Sequence, residues 1–285
     1  MNSLSLFLKY ARYRYLAQRV VMRIRLGKKN RDEHLNRIGL SEIDFLPERP
    51  YSFNGLLALP RKGSDDFYMF SIPREKELLP HLRMREGETF VDVGANVGYY
   101  SLKLAKDYAN DDVRIIAIEA HPENFKALNK NIELNSFEKC VRTINKAVSN
   151  HKGITTLYDR VDTRNRVRSE FYSLSTDYIH DLNFVPIDGG SVHVECDTLD
   201  NILEETRVDV MKIDIEGGEV SALEGAGKTL RRLRKLIVEV HGHNLEKVLQ
   251  VLRDTDDLKY EIIETQLMKY VIGSLANQVG QDISS

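Results

Sequence analysis

The chain has little cysteine, no long apolar run and, over its first 31 residues, no acidic side chain. Each absence excludes something. Cys140 and Cys196 are the only cysteines, and they form no close pair, so neither a zinc motif nor a redox dithiol can be built from them. Isolated thiols fit a reducing compartment, and a cytoplasmic location is expected. No uninterrupted apolar stretch approaches the ~20 residues of a membrane-spanning helix. Arginines interrupt the apolar residues near the start every few positions, so no secretory signal is expected. No internal repeat or low-complexity tract is visible.

What is present is the composition of a soluble globular protein. At 42% hydrophobic and 29% charged, the 285 residues can bury a core without disulfides or metal, and disorder of the whole chain is excluded. The net charge of −2 is unevenly spread. Residues 1–31 carry nine Lys and Arg, which leaves 32 basic against 43 acidic groups in the rest. A +9 arm ahead of a −11 remainder suits contact with something anionic. The arm reads as one or two basic helices, with Leu4, Leu8, Ala11 and Tyr15 on one face. It can pack on the domain that follows, lie on an anionic membrane surface, or touch nucleic acid. Residues 1–72 are therefore expected to form a basic helical arm and a linker with Pro47, Pro50 and Pro60. The main domain is expected to span 73–285.

From about residue 73 the patterning is regular. A short helix is expected over 73–83, then strands over 88–93, 113–119 and 141–148 alternate with helices over 98–108 and 122–135. Residues 158–191 read as a polar insertion. A strand over 192–196 and a helix over 198–205 follow it. Strands over 208–214 and 235–240 then alternate with helices over 220–233 and 245–253. Residues 260–264 and 269–272 close the sheet as a hairpin. Such alternation, with β-branched strands, implies an α/β domain with a parallel sheet covered on both faces.

The most informative segment is Thr89-Phe90-Val91-Asp92-Val93-Gly94-Ala95-Asn96-Val97-Gly98. An apolar strand runs through a glycine turn into a helix, a geometry that brings ligand to the carboxyl edge of a parallel sheet. Gly94 and Gly98 allow close approach of backbone. The dinucleotide fingerprint fails, because Asn96 stands at the second glycine position. Asp92 at the strand end would repel a pyrophosphate but favour a cation. S-adenosylmethionine carries an ammonium and a sulfonium and no phosphate. Glu119 ends the next strand, where an acid can take both ribose hydroxyls, with Ala120, His121 and Pro122 bordering the adenine.

Two later strands end in polar clusters, Lys212-Ile213-Asp214-Ile215-Glu216 and Glu239-Val240-His241. Alternation puts Lys212, Asp214 and Glu216 on one face, and likewise Glu239 and His241. His241 is the expected general base, since its ordinary pKa lies near neutrality. Asp214 is expected beside the cofactor's methionine end or the acceptor, and Glu239 beside the imidazole or an acceptor hydroxyl. Lys212 reads as a paired strand charge, Glu219 as a helix N-terminal acid, and His243 as a cap or solvent-facing residue. A divalent metal on Asp214, Glu239 and His241 is weighed, but no metal ligand is assigned.

Taken together, these residues resemble the FkbM methyltransferase family. The resemblance rests on Val91-Asp92-Val93-Gly94-Ala95-Asn96-Val97-Gly98-Tyr99-Tyr100-Ser101, Glu119 with His121-Pro122-Glu123-Asn124, Asn131 with Asn135, and Lys146-Ala147-Val148-Ser149. It continues through Thr198-Leu199-Asp200, Asp209, Lys212 to Glu219, Gly225-Ala226 and Val238-Glu239-Val240-His241. The resemblance implies a class I methyltransferase fold, a Rossmann-like three-layer sandwich around a seven-stranded, mostly parallel sheet whose last strand is antiparallel. It also implies S-adenosylmethionine as cofactor and, for many members, O-methylation of hydroxyls on sugars or natural products. The family's glycine loop corresponds to Asp92, Gly94, Asn96 and Gly98, its ribose acid to Glu119, and its acid after the later strand to Asp214. The sequence departs from the family at the long polar segment 158–191, where a Gly…Ser-Leu signal is reduced to Ser173-Leu174-Ser175, and in the basic arm.

Two other functions compete with O-methylation of a small molecule or glycan. An RNA methyltransferase would use the arm for phosphate contacts, although Asp214-Ile215-Glu216-Gly217 stands where an Asn-Pro-Pro-Tyr-type segment would be expected. A non-catalytic adenosine-binding protein at a membrane surface would bind cofactor without turnover.

Overall fold

The computed structural model describes residues 49–61, 64, 66–71, 77–161, 185–255, 258–265 and 268–275. The basic arm and Ser173-Leu174-Ser175 lie outside the described residues. The elements are β1 (Tyr51–Phe53), β2 (Leu56–Ala58), α1 (Asp66–Ser71), β3 (Thr89–Val93), α2 (Tyr99–Asp107), β4 (Arg114–Ile118), α3 (Pro122–Asn135) and β5 (Val141–Ile144). They continue with β6 (Ala147–Val148), β7 (Gly153–Val161), β8 (Val185–Asp197), α4 (Leu199–Leu203), β9 (Val210–Ile213), α5 (Glu219–Glu224) and α6 (Gly227–Leu230). The last are β10 (Lys235–Val240), α7 (Leu245–Arg253), β11 (Leu258–Glu264) and β12 (Lys269–Leu275). No described helix is long and apolar enough to cross a membrane.

The main sheet has seven strands in the order β11-β12-β10-β9-β3-β4-β5. The five from β10 to β5 are parallel, and β12 runs antiparallel between β10 and β11. This is the expected class I methyltransferase architecture, closed by the expected hairpin. Strand β3 is buried at all five positions because helices cover both faces, so it shows no polar alternation. Its period of two survives in where each side chain goes. Phe90 joins Ile115, Val210 and Ile237 with Leu102 and Leu128 on one face. Val91 and Val93 join Ile116, Met211 and Val238 with Leu223 and Leu249 on the other. The chain order reverses between β3 and β9, so the crevice at their carboxyl ends is the switch point at which such sheets take ligands.

Several boundaries differ from the sequence reading, each for a tertiary reason. The single strand expected over 141–148 is two. After Ile144, Asn145 turns away to donate to the carbonyls of Glu119 (2.8 Å) and Ala120 (3.0 Å), and β6 pairs with β8 instead. The described ends of the expected insertion, 158–161 and 185–191, lie in β7 and β8, which form a separate three-stranded sheet with β6, and the strand expected over 192–196 is the end of the longer β8. The helix expected over 220–233 breaks into α5 and α6 at Gly225, where a Cβ would lie 2.3 Å from the Ser149 carbonyl oxygen. Of the helix expected over 73–83, the described part is a 3-10 turn at Leu79–Leu82.

The main compact unit begins at Glu48, earlier than the residue 73 expected, because the β1-β2 hairpin is built into it. Asn131 and Asn135, four apart on α3, face the hairpin together. The Leu57 N–H donates to Asn135 Oδ1 (2.8 Å) and the Leu59 N–H to Asn131 Oδ1 (2.9 Å). Asn131 Nδ2 also donates to the Val97 carbonyl (2.9 Å), so one side chain ties the hairpin to the glycine turn.

Candidate active site

The turn after β3 is shaped by backbone constraints. Gly94 has φ +82°, and a Cβ there would sit 1.8 Å from the Asp214 carbonyl oxygen. Its hydrogen is therefore needed for the turn to pass the end of β9. The N–H groups of Gly94 and Ala95 both donate to the Ile118 carbonyl (2.9 and 3.0 Å). Gly98, at φ +95°, precedes α2 and packs against Leu128. Asn96 takes a left-handed φ of +53°, which its short amide tolerates better than most side chains.

Glu119 joins two turns. One carboxylate oxygen accepts from the Asn96 N–H (2.8 Å) and the other from the His121 N–H (2.9 Å). Burial pushes its pKa up to about 7, against those same hydrogen bonds. The His121 imidazole accepts from the Glu123 N–H (3.3 Å) and caps α3, while Ala120 is held through its carbonyl by Asn145. The expected cofactor residues Gly94, Asn96, Gly98, Glu119, Ala120 and His121 are thus brought together at the ends of β3 and β4.

Asp92 differs from expectation. It is one residue short of the strand end and only 1% exposed, where an open position at the mouth was expected. The reason is parity: as residue four of β3 it points under the turn, and its carboxylate accepts from the Ser101 hydroxyl (2.6 Å). Burial raises its pKa, opposed by Lys212, its neighbour in register on β9. Ser101 is a partner that sequence reasoning missed.

The second cluster lies at the ends of β9 and β10. Lys212, fully buried, donates to Asp214 Oδ2 (2.7 Å) and sits 4.7 Å from the centre of the Tyr100 ring. That contact is a cation–π interaction. Glu239 Oε1, Glu216 Oε2 and Asp214 Oδ1 stand 3.4, 3.7 and 3.8 Å from His241 Nε2. Glu216 has a left-handed φ of +52°, an uncommon setting for a non-glycine residue. Glu239 is buried, its pKa raised by burial and then by Asp214, and its Oε2 has no hydrogen-bond partner. Of the four acids here, Asp214 keeps the most exposed side chain, at 25%.

Glu219 is more than a helix N-terminal acid. It is wholly buried, and His241 Nδ1 meets its Oε1 at 2.8 Å. A carboxylate can only accept, so Nδ1 carries the hydrogen and Nε2 faces the other three acids. The Gly217 N–H and Asn244 Nδ2 hold Glu219 in turn (2.7 and 3.2 Å). The Gly217-Gly218-Glu219 turn was a visible signal for this residue, but its partner lies 22 positions away. Burial opposes charge on His241, yet Glu216, Glu219 and Glu239 outweigh it and raise its pKa well above the ordinary value. This runs against the expected general base, which must arrive unprotonated. His243 is exposed.

Residues 92–262 match the methyltransferase FkbM domain. The chain is similar to methyltransferase sdnD of Sordaria araneosa, 27% identical over 169 residues that make up 52% of this chain and 64% of that protein. The matched region thus spans less than two thirds of that relative's length. Among solved structures, the chain is similar to methyltransferase FkbM from Methylobacillus flagellatus KT. The TM-score is 0.47 and the identity 18%, over 67% of this chain and 44% of that one. A putative tRNA (m1A22) methyltransferase of Streptococcus pneumoniae, in complex with S-adenosyl-L-methionine, gives a TM-score of 0.44 at 16% identity, over 72% and 73% of the two chains. Likeness at this level is too slight to carry residue roles across.

Proposed function

This chain belongs to the FkbM methyltransferase family, and from that membership we propose that it moves a methyl group from S-adenosylmethionine to a hydroxyl of a sugar, glycan or other small molecule. The observation that carries this reading is the meeting, at the β3–β9 switch point, of a carboxylate-tied double turn with an acidic cluster. Gly94 touches the Asp214 carbonyl, so the two lie side by side.

The cofactor supplies a methyl activated on a sulfonium. The turn residues Gly94, Asn96, Gly98, Glu119, Ala120 and His121 fit its nucleoside end. Glu119 keeps lone pairs for ribose hydroxyls beyond the two N–H groups it already accepts. Asn96 Oδ1, buried and without a hydrogen-bond partner, is an acceptor that a bound nucleoside can complete. The field of Asp92 and Asp214 favours the cofactor's positive charge.

On the acceptor side, Asp214 is the acid an incoming hydroxyl can reach, with Glu239 and His241 behind it. Asp214 holds the hydroxyl in line with the methyl and receives its proton as the new bond forms. Acids at Asp214 and Glu216 oppose a phosphate backbone, which favours a small acceptor over RNA. The basic residues of 1–31 suit an anionic surface, such as a membrane carrying the acceptor.

Calorimetry with S-adenosylhomocysteine and an acceptor screen reading its release test the proposal. Asp214→Asn should cut turnover by roughly 10²–10⁴-fold, the scale of a proton-transfer group, with cofactor affinity kept within a few-fold. A protein that ignores S-adenosylmethionine yet takes up NAD would overturn the reading.

A further inference from the structure

We propose that Asp214, Glu216, Glu239 and His241 form a binding site for one divalent transition-metal ion, with Mn²⁺ the best fit to three carboxylates and one imidazole. Among the described residues, Asp214, Glu216 and His241 each offer a ligand atom within 4.8 Å of the others. Four features of the surroundings separate this group from an ordinary acidic patch.

The first is convergence. Three carboxylate oxygens from three residues approach the same nitrogen, His241 Nε2, at 3.4, 3.7 and 3.8 Å. Bonds of roughly 2.1 Å to a shared ion set neighbouring ligands roughly 3.0–3.4 Å apart. The two nearer acids, Glu239 and Glu216, already stand close to that spacing from the nitrogen.

The second is the fixed tautomer. Glu219, wholly buried, takes the Nδ1 hydrogen at 2.8 Å and sets Nε2 toward the three acids, where a metal ion would take the place of its proton. Metal-bound imidazoles are commonly held by a carboxylate in this way. Lys212 acts similarly on Asp214, holding Oδ2 and leaving Oδ1 toward the imidazole.

The third is the orphaned oxygen. Glu239 is 3% exposed, its Oε1 lies nearest to Nε2, and its Oε2 has no hydrogen-bond partner. A buried carboxylate oxygen in that state is costly unless a proton or a cation completes it.

The fourth is charge. Four carboxylates, counting Glu219, face Lys212 and the imidazole at the end of two adjacent strands. With the imidazole neutral these groups sum to −3, and one divalent ion lowers that to −1.

The ion would polarise an acceptor oxygen, a role that rests on the methyl-transfer reading; binding of the ion itself does not. The test is therefore read without donor or acceptor. Chelator-treated full-length protein is titrated with Mn²⁺ alone and followed by electron paramagnetic resonance. One tightly bound ion per chain is expected. Glu239→Gln and Asp214→Asn should each weaken binding at least ~10-fold, and Glu219→Gln, a positioning change, by roughly 10–100-fold. Anomalous diffraction from Mn²⁺-soaked wild-type crystals should give a peak bonded to His241 Nε2, and this decides the matter if a variant does not fold. Absence of a stoichiometric ion in the wild type, a peak elsewhere, or unchanged affinity in folded variants would overturn the proposal. Metal binding in a protein that ignores S-adenosylmethionine would sink the methyl-transfer reading and leave this one standing.

Discussion

The two halves of the site sit on adjacent strand ends and are built on opposite plans. At β3 and β4 the acids are satisfied, though Asn96 Oδ1 is left open: both Glu119 oxygens accept main-chain N–H groups, and Asp92 accepts from Ser101. At β9 and β10, carboxylates crowd one imidazole, and Glu239 Oε2 is left over. A satisfied region holds a shape before ligand arrives. A conflicted one gains most when something cationic or proton-bearing enters. Under the proposed methyl transfer, recognition falls to the first half and chemistry to the second, and Gly94 is the point at which they touch.

The contrast can be broken at that point. Gly94→Ala would put a Cβ into the Asp214 carbonyl at a φ that alanine resists. It should lower stability by at least about 2 kcal/mol in denaturant melts and impair both halves together. A Gly94→Ala protein with wild-type stability and cofactor affinity would mean that the halves are independent. Glu119→Ala should act on one half only. It should weaken S-adenosylhomocysteine binding by about 10–100-fold, the scale of losing hydrogen bonds to a charged group, while turnover at saturating cofactor stays near wild type. Loss of turnover without loss of affinity would contradict the division of roles.

The smallest expected effect concerns pH. The Glu119 pKa lies near 7, and ribose hydroxyls donate best to the ionised carboxylate. Cofactor affinity should therefore be full above that value and fall as pH drops through it, by no more than about tenfold per pH unit. The Glu119→Ala protein should lose this dependence. The sign for folding is opposite. A carboxyl with its pKa raised in the folded state is a liability that grows as pH rises from the ordinary carboxylate range to about 7, because the unfolded chain ionises first.

Much of the first half was legible in the sequence, because its signals are local. A buried strand, two glycines and an acid at the next strand end lie within a single strand-helix-strand unit, and β-branched runs mark the strands. The direction of Asp92 was not legible, since it depends on a one-residue difference in where β3 ends. The second half was legible as a list of polar residues and not as an arrangement. Glu219 looks like any acid at a helix start until β10 brings His241 beside it. Asn131 and Asn135 were visible as part of a family pattern, but docking the β1-β2 hairpin is a contact across more than 70 positions. The break between β5 and β6 has the same origin: Asn145 leaves the strand to hold the turn after Glu119, a partner no periodicity reveals.

That break has an evolutionary corollary. Asn145 and Lys146 alone separate β5 from the excursion that begins at β6. The excursion closes on itself, because Ala147 and Val148 pair in parallel with Cys196 and Asp197 at its far end. Whatever lies between can lengthen, shorten or be exchanged with little strain on the main sheet, since loop-closure entropy grows slowly with length.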